Sequence, residues 1–386
     1  MAIVVENIPL GVDTRLRKQV DALLDAGHEV SVVTRRHPDN EGLRGRPGLR
    51  LLEHRPPTDG TGALGYAREY ATSFAWATLL LGRLRLHRRI DVLQLCQPPD
   101  IYFPLARLLS WTGARVVLDQ RDLMPEVFRS RYDDPSAAVE KVLRLLERRT
   151  QKVADATITV NDFLAERLRQ AGARESDTFV VWNGPVLSRA EGAEPDESLR
   201  GGHQQLVVWI GKMGRQDRVD LVLDVAERVV RTHGRSDVLF RIVGDGECLE
   251  ELRADASARG LDESVVFPGW VTEKEVFRHL ATADLGIDTS LQEEVSPVKA
   301  MEYMGHGLPF VGFDLRETRA LSRDAAVLVA PGDVDAAAEA VVGLLDDRAQ
   351  RDRLGDAGHR RVRDELAWEH QAQTYLAALT AGLSPR

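Results

Sequence analysis

A chain of 386 residues exceeds one ordinary hydrophobic core, so two domains are expected. Hydrophobic content of 43% beside 29% charged residues describes a globular, water-soluble chain, and the net charge of −9 speaks against a nucleic-acid binder. Cys96 and Cys248 lie far apart, so neither a disulfide scaffold nor a metal site is expected, in keeping with a cytoplasmic location. The chain opens directly on an apolar stretch, MAIVVE, which is not a signal peptide, and it holds no apolar run of about 18 residues that would span a membrane.

Ala2 to Glu6 reads as a buried strand, followed by the loop NIPLG and a helix with Leu16, Val20, Leu23 and Leu24 on one face. Gly27 closes that helix, and His28 to Thr34 is the next strand. Strand, loop, helix and strand in this order begin a doubly wound parallel sheet. Gly11 in the first loop would admit a ligand close to the backbone, or it serves only the turn. Residues 36–62 read as loop with one strand near Leu49–Glu53. Leu64 to Arg89 is helical and ends in the basic cluster RLRLHRR, either a solvated helix end or a contact for an anionic membrane surface. Ile90 to Cys96 and Ala114 to Gln120 are buried strands, followed by QPPD and RDLMPE. Loops leaving strand carboxyl ends are where open parallel sheets bind ligands, so Arg121, Asp122 and Glu126 are candidates. An Arg–Asp pair that merely ties the loop is the competing reading. Helices at Ala137–Val153 and Asn161–Ala171 flank a strand at Asp155–Val160, and Thr178 to Trp182 is the last strand of this half.

Residues 184–204 are polar and rich in Gly, Pro and Glu, and read as a linker. A second α/β pattern follows at once. The strand Gln205–Gly211 leads into the glycine-containing cationic loop GKMGRQDR and the helix Leu221–His233. Leu239–Gly244 is a strand ending in GDGE, followed by a helix to Arg259 and the strand Val265–Phe267. Helices at Asp333–Leu345, Arg351–Glu365 and Trp368–Leu383 close the chain.

The most informative stretch is 284–312, DLGIDTSLQEEVSPVKAMEYMGHGLPFVG. Two short strands, Asp284–Thr289 and Leu308–Gly312, enclose a helix from Pro297 to His306. Ser296 suits the N-cap and Pro297 the first helical position. A capping box would then place Glu or Gln where Lys299 stands. A cation in the first turn opposes the helix dipole, but it is the right residue if an anion sits at that terminus. Glu302 follows one turn later on the same face, placed to accept hydrogen bonds from sugar hydroxyls. A solvated Lys–Glu pair on a purely structural helix is the alternative.

If the strands preceding the two loops are neighbours, Lys212, Arg215 or Arg218 could share an anion with Lys299. No P-loop occurs and no G-x-G-x-x-G follows the first strand, which weakens kinase, GTPase and ordinary NAD readings. The histidines show no metal-ligand spacing, and the G-x-S-x-G elbow of a serine hydrolase is absent. Glu294, Glu302, Asp122 and Glu126 remain as the acid–base inventory.

In GKMGRQDRVDLVLDVA, FRIVGDGECLEELR, VVFPGWV, ATADLGI and E-x7-E from Glu294 to Glu302, taken in that order, the chain resembles the retaining glycosyltransferases of family 4. SPVKAMEYMGHGLP and RDLMPE are similar to the branch that transfers N-acetylfucosamine-like sugars. The resemblance implies an α/β GT-B fold, two Rossmann-like doubly wound domains facing a cleft. Its boundaries would be 1–185, a linker at 186–204, 205–367, and a last helix from 368 crossing back to the first domain. It implies that Gly11 lines the diphosphate side of the cleft, that Lys212 and Arg215 or Arg218 contact phosphates, and that Gly244 and Trp270–Val271 flank the base. Glu294 would face the transferred sugar, Ser296, Pro297, Val298 and Lys299 would bind the diphosphate, and Glu302 would take the ribose hydroxyls. Many relatives carry a sugar-contacting His before the Asp of the first-domain loop, where this chain has Arg121 before Asp122, and the glycine-rich segment at Gly11 is reduced to PLGVD.

The chemistry so implied is transfer with retained configuration from a nucleoside-diphosphate sugar, UDP-linked by family habit, without cofactor or metal. Positive groups would stabilise the charge developing on the leaving diphosphate. The acceptor would be a polysaccharide intermediate, a lipid-linked sugar or a natural product. A sugar-nucleotide epimerase of the same fold and a non-catalytic two-lobed binding protein are the rival readings.

Overall fold

The structure is a computed structural model that describes residues 1–55, 62–131, 136–293 and 296–381. Glu294 and the end of the last predicted helix lie outside the described residues. The chain divides into two compact units, one formed by Met1–Trp182 with the chain from Gln371 onward, the other by Asn183–His370.

The first unit is built on seven parallel strands: β1 (Ala2–Val4), β2 (Val30–Arg35), β3 (Leu49–His54), β4 (Val92–Gln97), β5 (Arg115–Gln120), β6 (Ala156–Thr159) and β7 (Thr178–Val180). They lie in the order β3-β2-β1-β4-β5-β6-β7. The inner strands are continuous runs of buried residues, as a sheet covered on both faces requires. Among the described residues the helices between them are α1 (Thr14–Asp25), α2 (Gly62–His87), α3 (Phe103–Ser110), α4 (Met124–Arg131), α5 (Ala137–Gln151) and α6 (Asp162–Ala171). Asp13 caps α1 by accepting from the Leu16 N–H at 2.9 Å, and Gly27 follows its end at φ +79°. The sequence reading passed over α3 because QPPD hides its start, and it placed Glu126 in a loop where α4 carries it. The basic end of α2 is partly neutralised, with Arg88 bonded to Glu29 and Arg89 to Asp91 at 3.1 Å. Among the described residues no helix is long and apolar enough to cross a membrane.

The second unit holds six parallel strands: β8 (Gln205–Ile210), β9 (Val238–Val243), β10 (Val265–Gly269), β11 (Leu285–Asp288), β12 (Phe310–Phe313) and β13 (Ala326–Val329). Their order is β10-β9-β8-β11-β12-β13. The helices are α7 (Leu187–Ala190), α8 (Val219–Glu227), α9 (Leu249–Ala258), α10 (Glu273–Thr282), α11 (Val298–Gly305), α12 (Arg316–Ser322), α13 (Val334–Asp346) and α14 (Arg348–Arg361). The stretch read as a linker is docked on this unit. Arg200 donates to Asp284 Oδ2 at 2.5 Å and to the Thr282 carbonyl at 2.9 Å, and the Asp196 N–H donates to Thr282 Oγ1.

The last helix, α15 (Trp368–Thr380), passes from the second unit into the first. In the first unit its Tyr375 hydroxyl donates to Gln94 Oε1 at 2.6 Å, and Gln371 accepts from the Trp182 N–H at 3.0 Å. In both units the strand order runs outward from the first strand and then resumes on its other side. That places topological switch points between β1 and β4 and between β8 and β11, where ligands bind outside the strand carboxyl ends.

Candidate active site

In the second unit, β8 and β11 are paired through Val207–Leu285 and Val208–Gly286 and then part. Tyr303 of α11 fills the gap. Its hydroxyl accepts from the Ile210 N–H at 3.2 Å and donates to the Ile287 carbonyl at 3.1 Å. Its ring lies against Gly286, where an added Cβ would come within 2.7 Å of it. Burial, then the nearby charge of Asp288, push the phenol up, so it stays a neutral donor and acceptor.

The chain leaving β8 and the helix entered after β11 meet above this point. α11 begins at Val298, one residue later than the sequence suggests, with Pro297 as cap and no side-chain cap bond. Ser296 therefore does not cap the helix. Its Oγ is buried and has no hydrogen-bond partner among the described residues. Lys299 in the first turn runs over the Trp209 ring, its Nζ 5.1 Å from the ring centroid. The same ammonium lies 3.5 Å from Asp217 Oδ1 and 3.8 Å from Asp288 Oδ1. Glu302 is half-buried on the next turn, and its carbonyl accepts from His306 Nδ1 at 2.9 Å.

The loop after β8 is less cationic at this point than its sequence suggests. Arg218, at φ +49°, turns to Asp220 in a bidentate pair, with Nη2 to Oδ2 at 2.8 Å. Arg215 is 79% exposed and lies 3.8 Å from Glu251, while Lys212 is exposed. The loop side chain that reaches Lys299 is the acid Asp217, whose other oxygen accepts from the Gly214 N–H at 3.3 Å. Gly244 is required by its own chain, because a Cβ there would stand 1.8 Å from the Gly211 carbonyl oxygen. Trp270 and Val271 follow the edge strand β10, and Trp270 is 74% exposed. Lys212, Gly244, Ser296 and Lys299 thus share the carboxyl edge of one sheet.

In the first unit, Gly11, Arg121 and Asp122 likewise leave strand carboxyl ends. What approaches Gly11 is the backbone of Asp39, 2.3 Å from an added Cβ, while the Gly11 N–H donates to Asn40 Oδ1 at 2.8 Å. Arg121 is bonded to Asp13, to Asp119 Oδ2 at 3.1 Å and to Cys96 Sγ at 3.5 Å. Arg15 donates to Asp119 Oδ1 at 2.8 Å, and Gln19 donates to Oδ2, beside Arg121, at 3.1 Å. Burial would raise the Asp119 carboxyl, but Arg15 and Arg121 outweigh it and hold it at about 2. Arg121 is thereby committed to a buried ion network, whereas Asp122 is exposed, its carbonyl accepting from Gln120 Nε2. Glu126 is tied to Arg167 at 2.7 Å and Arg129 at 2.9 Å.

The sequence reading missed Trp209, Asp217 and Asp288. The signal was present: an aromatic and an acid at the ends of strands that border the switch point, and an acid inside a loop read as basic. Among the described residues no cluster of three or more His, Cys, Asp or Glu side chains could hold a metal ion.

Comparison with known proteins agrees with this architecture. Residues 204–347 match the family described as Glycosyl transferases group 1, and residues 11–184 match the Glycosyl transferase 4-like domain. The chain is similar to alpha-D-kanosaminyltransferase of Streptomyces kanamyceticus, 26% identical over 253 residues, covering 61% of this chain and 64% of that protein. It is 30% identical over 325 residues to 2-deoxystreptamine glucosyltransferase of the same organism, covering 78% of this chain and 81% of that protein. Among solved structures, Anabaena HepE in complex with UDP and glucose superposes with a TM-score of 0.76 at 16% identity, covering 98% of this chain and 99% of that one. The chain belongs to the group 1 glycosyltransferases, sugar-transferring enzymes on the GT-B fold.

Proposed function

We propose that the protein is a retaining glycosyltransferase that moves a sugar from a UDP-sugar to a hydroxyl group of its acceptor. The observation that carries this reading is the entry of α11 at the switch point, with Lys299 in its first turn and the buried, unpartnered Ser296 Oγ beside it. A helix N-terminus offers unbonded N–H groups and the positive end of its dipole, which suit a diphosphate. In this reading Ser296, Pro297, Val298 and Lys299 hold the diphosphate, with Lys212 and Arg215 or Arg218 at its outer side. Glu302 takes the ribose hydroxyls, and Trp270, Val271 and the chain at Gly244 border the base. Glu294 faces the sugar, while Gly11, Arg121 and Asp122 belong to the acceptor-side unit. Arg121 acts there through its bonds to Asp13 and Asp119.

The barrier to such a transfer falls when charge building on the leaving diphosphate meets fixed positive groups. Lys299 and the α11 N–H groups supply them, so the reaction proceeds without a divalent metal. In this reading a phosphate oxygen of the leaving group helps to take the acceptor proton on the face where attack occurs. The kanosaminyltransferase and the 2-deoxystreptamine glucosyltransferase support a natural-product acceptor bearing ring hydroxyls, beside lipid-linked sugars and polysaccharide precursors.

The test is a panel of UDP-, GDP- and dTDP-sugars, offered with 2-deoxystreptamine and with simple glycosides, with and without EDTA, followed by nucleoside diphosphate release and product NMR. The expected result is release from one UDP-sugar, indifferent to EDTA, with a product of unchanged anomeric configuration. An inverted product, or activity abolished by EDTA and restored by a divalent metal, overturns the mechanism.

A further inference from the structure

The ammonium of Lys299 already has two anionic neighbours. It stands between two carboxylates, Asp217 at 3.5 Å and Asp288 at 3.8 Å, with the Trp209 ring as a third wall. The two acids differ in accessibility. Asp288 ends β11 and is 5% exposed, and its Oδ1 also accepts from the Ser290 N–H at 3.2 Å, so it belongs to the wall. Asp217 lies in the loop after β8 with 21% of its side chain exposed, so it is the more accessible of the two. Lys299 donates to Asp217 Oδ1 at 3.5 Å, longer than the 2.7–3.2 Å of a firm bond, so a closer acceptor can take that donor from it.

A diphosphate that bonds to Lys299 must therefore displace Asp217 or lie beside it as a like charge. Either event weakens the diphosphate, and of the loop's cations the exposed Lys212 is the one left to offset it. Arg218 is committed to Asp220 and Arg215 points to Glu251. The geometry points to Asp217 as a residue that tunes release: it positions Lys299 in the empty site and competes with the nucleoside diphosphate for it, so that the product leaves. Asp217 is a positioning residue and touches no reacting atom. This inference rests on Lys299 being a diphosphate ligand.

The test is titration of UDP, at low and at physiological salt, into the wild-type protein and its Asp217→Asn, Asp217→Ala and Lys299→Ala variants, each checked by thermal melting. Asn keeps an oxygen for the Gly214 N–H and removes only the charge, whereas Ala removes both. The expected result is UDP bound about tenfold more tightly by both Asp217 variants, with the gain shrinking as salt rises. UDP affinity unchanged or weakened in folded Asp217→Asn and Asp217→Ala, while Lys299→Ala weakens it, overturns this role and leaves Asp217 a loop cap. Lys299→Ala binding UDP as well as wild type overturns instead the underlying assignment of Lys299.

Discussion

Asp100 shows how much a single buried carboxyl can decide. It follows β4 and is fully buried, with the Gln120 amide as the neighbour that favours its charged form. Burial, with Glu147 as a neighbouring acid, pushes its carboxyl up to about 7, and burial with Glu126 nearby does the same to Glu147. The sign follows from linkage. An acid whose folded value lies above its unfolded value of about 4 binds its proton more readily in the native state, so its contribution to stability is fully present below about pH 4 and is lost as pH rises through about 7. Asp100→Asn removes that slope. The variant should melt roughly 3–8 °C above wild type at pH 8 and show no gain near pH 4, measured by calorimetry at the two values. An equal gain or an equal loss at both would contradict the assignment. Nothing in QPPD signals this. Sequence patterning identifies an acid after a strand, while its burial depends on how α3 and α5 close over it.

At the scale of elements, the two strands that border the switch point of the second unit are bridged by the Tyr303 hydroxyl where their own pairing ends. Tyr303→Phe keeps the ring against Gly286 but leaves the Ile210 N–H and the Ile287 carbonyl unpaired. An unmet buried polar group costs about 1–3 kcal/mol, so the variant should melt several degrees lower. Because α11 is held to the sheet by that bond, UDP affinity should fall with it, by several-fold. A melting temperature and a UDP affinity both unchanged would show that the bridge carries no weight. Most elements were legible from hydrophobic periodicity, since buried parallel strands read as apolar runs and α1 and α6 announce themselves through Asp13, Asn161, Gly27 and Gly172. The reading passed over α3, whose second residue is proline, and the short β13, and it also missed α10 although the capping box of Thr272 and Glu275 stood in the sequence. It also took Ser296 for a cap, because residue type fixes the capacity to accept a bond but not the direction of the side chain. The cationic loop misled in the same way. Counting charges gave three basic residues near Lys299, whereas local geometry spends Arg218 on Asp220 and turns Asp217 inward.

For the whole molecule, the order of the strands does the functional work. Two sheets wound in the same order each open a switch point at their carboxyl edge, and the second carries the lysine, the buried serine hydroxyl and the helix terminus that suit a diphosphate. The family resemblance was legible because those loops hold its motifs in sequence. The acids around Lys299 were not, because they come from β11 and from the turn after β8 and meet only when the sheet forms. The most direct test of the account is the rate of UDP release from the proposed donor, a UDP-sugar, compared between wild type and Lys299→Ala, with UDP affinity measured alongside. Lys299 is assigned to charge that develops in the transition state, so the rate should fall by about 10²–10³-fold while free UDP loses no more than about tenfold in affinity. A variant that releases UDP at the wild-type rate would contradict the account.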